Sequence, residues 1–451
     1  MLKDALPKII SEELPGAITK EILKIREENT AGAIKPLYPL SIKSGQGAMV
    51  EDFEGNRYVD FVGGVGVLNI GYSHPEVIEV VKQQADSFFH SMYNITTHEN
   101  YGLLAKKLNE IAPTTGTSRK TYFANSGAEA IENAIKVAKS ATGRKNIIAF
   151  TGAFHGRTLM AVTLTAKKSL SKGIGADAPG VFRAKYPYLY RKPEAMSDQE
   201  MIDHCIESIS QIFEHSAPAD EVAGIIMEPL QGEGGFVPAP IEFVKALRQV
   251  CDDHGIVLIA DEVQSGFCRT GRMFCTDYWA EAGVRPDIIC VAKSIAAGMP
   301  LSGIVVNGAI MDRVLPSTIG GTFGGNAMSV AAGLKVIEIM EREKLDERAL
   351  EIGATVTKRY EEFARKYPFV GDYRGIGAMI GLELVKDKDT KEPYPEKVNA
   401  VIDYCFHHGL LIENAGAYGN VIRFLAPLVI TDAQLLSGLD ILDDALANAL
   451  A

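Results

Sequence analysis

Between about residues 118 and 306, short and nearly unbroken apolar runs alternate with longer segments whose apolar positions recur every three or four residues. The runs at 120–124, 146–150, 222–227, 256–260, 287–292 and 303–306 are rich in β-branched residues and do not alternate with polar ones. That is the texture of strands covered on both faces, as in a parallel sheet. The stretches 128–141 and 242–254 carry helical spacing between them. Strand and helix alternating in this way predict an α/β fold with an open, mostly parallel sheet and right-handed crossovers.

After about residue 330 the pattern changes. Long amphipathic helices are expected at 329–344 and 346–366, then a strand at 379–384, a helix near 396–408 and a strand at 421–424. This reads as a smaller α+β domain. At the N-terminus a helix near 19–29 and a turn-linked pair at 48–52 and 57–61 are too little to stand alone. The expected division is therefore an N-terminal segment 1–65 packing with the small domain, a large domain 66–328 and a small C-terminal domain 329–451.

Composition narrows the function. With 451 residues, 47% hydrophobic and 23% charged, the chain has ample material for a large core, which excludes wholesale disorder. A net charge of −11 and the lack of any Lys/Arg-rich run argue against a nucleic-acid partner. The six cysteines, at 205, 251, 268, 275, 290 and 405, form no C-x-x-C pair, so neither a disulfide framework nor a zinc site is expected. Lys3, Asp4 and Lys8 leave no apolar region for a secretory signal, and 294–311 is broken by Gly298, Pro300, Gly303 and Asn307, so no membrane span is expected. A cytoplasmic enzyme is the reading that remains.

Four pieces carry candidate chemistry. Asn125–Ser126–Gly127–Ala128–Glu129 follows an expected strand and opens a long helix, where free N–H groups can cradle a phosphate; Ser126 can equally be a simple cap. Asp261 and Glu262 end an apolar strand, at the edge where open α/β sheets bind ligands. A lone acid there is often a helix cap, and no His or third carboxylate at suitable spacing supports a metal. Lys293 ends another strand, and a lysine in that position is a candidate for Schiff-base chemistry, though most lysines are solvated charges. Phe154–His155–Gly156–Arg157–Thr158 offers an aromatic to cover a ring and a guanidinium fork for a carboxylate, against the plainer readings of a turn histidine and a surface ion pair. A lysine, an acid and a phosphate cradle together are what pyridoxal phosphate requires.

From about residue 35 onward the chain resembles the class III aminotransferases, pyridoxal-phosphate enzymes of fold type I. The resemblance rests on N-S-G-A-E-A, F-H-G-R-T, I-M-E-P-L-Q-G-E-G-G, L-I-A-D-E-V-Q-S-G-F-C-R-T-G and G-G-T-F-G-G-N, which are jointly specific. It implies pyridoxal 5'-phosphate carried on Lys293, its ring nitrogen on Asp261 and its phosphate on Gly127 and Ala128, with Thr322 contributed by a neighbouring subunit. Phe154 would stack on the ring, Gln264 would bond the phenolic oxygen and His155 would help shape the pocket, while Ser126, Glu228 and Val263 complete the cofactor set. Lys293 would also move the proton, and Val65, Arg157, Glu233 and Arg423 would face the substrate.

Within the class the motifs look most like those of enzymes acting on 4-aminobutyrate, which implies transfer of its amino group to 2-oxoglutarate, giving succinate semialdehyde and glutamate. Arg157 would take the distal carboxylate of both donors and Arg423 the α-carboxylate of glutamate, with Glu233 pairing with Arg423 when 4-aminobutyrate is bound. The partners are then small amino and keto acids, in a homodimer or a dimer of dimers. Aminotransferases for 5-aminovalerate or acylornithine share these motifs. A racemase would use the same lysine, and Arg157 counts against it. A dinucleotide-dependent oxidoreductase, prompted by Gly64–Val65–Gly66, lacks the third glycine of its fingerprint.

Overall fold

The computed structural model describes residues 1–167, 172–174 and 177–449. They divide into two compact units, residues 76–347 and residues 1–75 with 348–451.

Among the described residues the larger unit is built on a seven-stranded sheet in the order Arg119–Ala124, Ser302–Asn307, Ile288–Val291, Val257–Asp261, Val222–Met227, Asn146–Phe150, Val181–Ala184. Val257–Asp261 lies in parallel between Val222–Met227 and Ile288–Val291. Ser302–Asn307 alone runs against its neighbours. The strands at the middle of the sheet are buried along their whole length, which is why they read as unbroken apolar runs. Val181–Ala184 was not anticipated: at the sheet's edge it is only partly buried, and Arg183 interrupts its apolar pattern.

The helix Gly127–Thr142 packs Ile131, Ala134, Ile135 and Ala138 into a core shared with Ile147, Ile226, Ile259, Cys290 and Ile304. The helix Ala327–Arg342 also belongs to this unit. Gly333 brings it onto Leu104 and Leu301, where an added Cβ would lie 3.0 and 3.2 Å from their methyl groups. The division therefore falls at 75/76 and 347/348, later than the expected 65/66 and 328/329.

In the other unit a four-stranded antiparallel sheet has the order Val370–Ile376, Met379–Leu384, Val421–Phe424, Glu413–Ala415. A second sheet holds Ile42–Gln46, Met49–Asp52 and Arg57–Asp60, to which Leu410–Leu411 adds in parallel and so ties the two ends of the chain together. All six cysteines are buried and unpaired. No helix of the described residues is long and apolar enough to cross a membrane.

Candidate active site

Asp261 closes the strand Val257–Asp261 at its carboxyl end, opposite Cys290 of the neighbouring parallel strand. It is 4% exposed. One carboxylate oxygen, Oδ1, accepts the Val263 N–H at 3.0 Å, and Oδ2 lies 2.7 Å from His155 Nδ1. An ionised carboxylate can only accept, so in that state His155 Nδ1 carries the proton. His155 is itself fixed, since its backbone N–H donates to Thr165 Oγ1 at 2.9 Å. Its second ring nitrogen, Nε2, is buried and has no hydrogen-bond partner among the described residues. His155 was expected among the cofactor-binding residues, shaping the pocket. The structure puts it on the acid.

The turn that delivers His155 rests on the start of the helix Gly127–Thr142. Gly156 has φ +130°, and an added Cβ would lie 2.8 Å from the Ala128 Cβ, so a side chain there would separate the two segments. Ser126 caps the helix in a capping box with Glu129. Helix geometry leaves the N–H groups of Gly127 and Ala128 without intrahelical acceptors. A Cβ on Gly127 would meet Val263 Cγ1 at 3.0 Å and the Ala292 Cβ at 3.7 Å. The helix start, the segment after Asp261 and the residue before Lys293 therefore converge at one point.

Lys293 follows the strand Ile288–Val291 and begins a short 3-10 turn, half-buried, with φ +49°. A left-handed lysine is uncommon and must be held by its surroundings. Glu228, at the end of Val222–Met227, accepts the Phe154 N–H at 2.9 Å and the Gly232 N–H at 2.9 Å. It was expected to bind cofactor, and here it clamps two backbones. Burial pushes its carboxyl up to about 7, with His155 opposing the rise and Asp261 adding to it. Gln264 lies against Gly232, whose added Cβ would be 1.9 Å from Gln264 Oε1.

The remaining expected residues are placed as follows. Phe154 is half-buried and Arg157 exposed, and Arg157 makes no ion pair among the described residues. Thr322 is exposed beside Phe323, which is 61% exposed. Glu233 is ion-paired with Lys167 at 2.8 Å, a partner that sequence reading did not single out. Val65 and Arg423 belong to the other unit. There Val65 has φ +63°, and Arg423 is buried and paired with Glu413 at 2.7 Å. The Gly64–Val65–Gly66 turn follows a strand of an antiparallel pair and opens no long helix, which removes the dinucleotide reading.

An acid for a ring nitrogen, an amine for an aldehyde and free N–H groups for a phosphate, all at the carboxyl edge of one sheet, fit pyridoxal phosphate. The family described as aminotransferase class-III matches residues 31–446. A probable 4-aminobutyrate aminotransferase of Bacillus subtilis is 44% identical over 90% of this chain and 92% of its own length. A 5-aminovalerate aminotransferase of Pseudomonas putida is 42% identical over 91% and 94%. Among solved structures, a Bacillus anthracis aminotransferase superposes with a TM-score of 0.88 at 30% identity, covering 97% of this chain and 100% of that one. Site chemistry, sheet order and relatives thus agree, and the chain belongs to the class III aminotransferases, pyridoxal-phosphate-dependent enzymes of fold type I.

Proposed function

We propose that the enzyme moves the amino group of an ω-amino acid, with 4-aminobutyrate the preferred donor, to 2-oxoglutarate, giving succinate semialdehyde and glutamate. The observation that carries the transfer chemistry is the convergence of the Gly127 helix start, Asp261 with its buried His155, and the residue preceding Lys293. The choice of ω-amino acids is supported by relatives named for 4-aminobutyrate and for 5-aminovalerate. Bound pyridoxal phosphate supplies an electron sink for the carbanion left when a substrate C–H bond breaks.

This chain's residues do the rest. Lys293 Nζ would take the proton from the amine-bearing substrate carbon and carry it to the cofactor carbon that keeps the nitrogen. Asp261, kept in place by His155 and the Val263 N–H, would hold a proton on the ring nitrogen. The N–H groups of Gly127 and Ala128 would hold the phosphate, with Thr322 supplied by the partner subunit. Phe154 would cover the ring and Gln264 would bond the phenolic oxygen. Arg157 would orient the distal carboxylate, and Glu233 of the same unit would face the substrate. The working form is a cytoplasmic homodimer or dimer of dimers.

A 5-aminovalerate donor is the second reading, favoured by the Pseudomonas putida relative. Following cofactor absorbance in the first half-reaction with 4-aminobutyrate, 5-aminovalerate and N-acetylornithine separates the donors. The fastest bleaching is expected with 4-aminobutyrate. No bleaching with any ω-amino acid would overturn the proposal.

A further inference from the structure

Glu228 is a buried acid to which the proposed chemistry gives no part. It stands just past the strand Val222–Met227 and is 6% exposed. Oε1 accepts the Phe154 N–H and Oε2 the Gly232 N–H, each at 2.9 Å. A carboxylate offers two acceptor oxygens and no donor, whereas a glutamine would turn an N–H group towards one of these two donors. The turns it holds are packed backbone against backbone. Gln231 Nε2 donates to the Thr151 carbonyl at 2.8 Å, and an added Cβ on Gly234 would lie 2.7 Å from the Gly152 carbonyl oxygen. Gly232 in turn abuts the Gln264 amide oxygen, with no space for a Cβ between them.

From this lacing we infer that Glu228 is a positioning residue for the cofactor: its carboxylate holds the turn that carries Phe154 and, through Gly232, limits where the Gln264 amide can stand. The inference rests on the reading of Phe154 as the cover of the ring and of Gln264 as the partner of its phenolic oxygen. Phe154 follows the strand Asn146–Phe150, and Gln264 follows Val257–Asp261. Val222–Met227 lies between those two strands in the sheet. An anchor on the middle strand therefore sets the spacing of groups delivered from both flanks. Burying an acid is costly unless hydrogen bonds compensate. An apolar side chain would fill the same space but accept neither N–H, and each turn would lose its tie. The clamp lies wholly within the larger unit, on the same sheet as Asp261.

The test is E228Q in the full chain, stripped of cofactor and titrated with pyridoxal phosphate. The dissociation constant should rise about ten-fold, the scale set by one buried N–H losing its acceptor. The absorbance band of the bound cofactor should also move, since the cover of the ring and the partner of its phenolic oxygen both shift. In an F154A/Q264A background the same substitution should change affinity little, because the groups it places are already gone. A purely structural role would lower the unfolding midpoint and weaken binding equally in both backgrounds. Equal losses in the two backgrounds, or an unchanged dissociation constant and band in E228Q alone, overturn the inference. If E228Q does not fold, E228D draws both oxygens back by one carbon and carries the same readout. An F154A/Q264A enzyme that binds the cofactor as tightly as wild type would overturn the reading of those two residues, and the inference with it, an outcome visible without any change at Glu228.

Discussion

His155 and Asp261 meet at 2.7 Å in a buried pair, and the acid's other oxygen is taken by the Val263 N–H. Two contacts from different segments thus orient one carboxylate at the edge where a cofactor ring would lie. Asp261→Asn keeps the shape and removes the charge, so kcat should fall on the order of 10³-fold if the site is desolvated. His155 acts through Asp261 as a positioning residue. His155→Ala should lower kcat less and should shift the pH dependence of the bound cofactor's absorbance, which a purely structural role would leave in place. Near-normal rates in Asp261→Asn would reduce the acid to a cap.

Lys293 is the proposed carrier of the cofactor. Borohydride reduction of the holoenzyme followed by peptide mass analysis should label Lys293, and Lys293→Ala should lose transamination while unfolding at a similar temperature. A label on another lysine, with turnover retained in the variant, would refute the assignment.

The contact between Gly232 and Gln264 leaves no room for a methyl group. Gly232→Ala should cost about 1–3 kcal/mol of stability, as overpacked sites do. Adding Gln264→Ala should recover most of that loss, because the colliding amide is then gone. Additive losses in the double variant would show that the clash lies elsewhere.

Glu262 is fully buried, where it accepts the Thr276 N–H and the Ser265 hydroxyl, and burial pushes its carboxyl up to about 7 from an ordinary 4.5. Between these values the folded chain holds a proton that the unfolded chain has released, so this group's contribution to stability falls as pH rises from about 4.5 to 7. Relative to wild type, Glu262→Gln should gain stability over that interval and then stay level. Unfolding midpoints of both proteins at pH 5 and pH 8 check this, and a pH-independent difference would contradict it.

Phe323, Phe89 and Ile95 of the larger unit are 61%, 64% and 77% exposed, and Phe323 adjoins the proposed shared residue Thr322. Large apolar side chains left this open suit burial against a second copy. Sedimentation at assay concentration should give at least a dimer, and Phe323→Glu should shift it towards smaller species with loss of activity. A fully active wild-type monomer would exclude a shared site.

The amino-acid sequence alone determined the sheet-bearing part of this protein and the ends of its strands. Val222–Met227 and Val257–Asp261 are buried throughout, so local composition suffices to mark them, and Asp261 and Lys293 follow from where such strands stop. Weaker strands escaped. Val370–Ile376 is only partly buried and carries Asp372, Arg374 and two glycines, which hide its pattern. What the tertiary structure decided is which side chains meet. His155 and Asp261 are 106 residues apart, Lys167 and Glu233 are 66 apart, and Glu413 faces Arg423 only because two short strands pair in one register. Burial is a property of each stretch of chain and leaves a local signature. An ion pair depends on how distant strands cross and align, and no local pattern of apolar and polar residues encodes that.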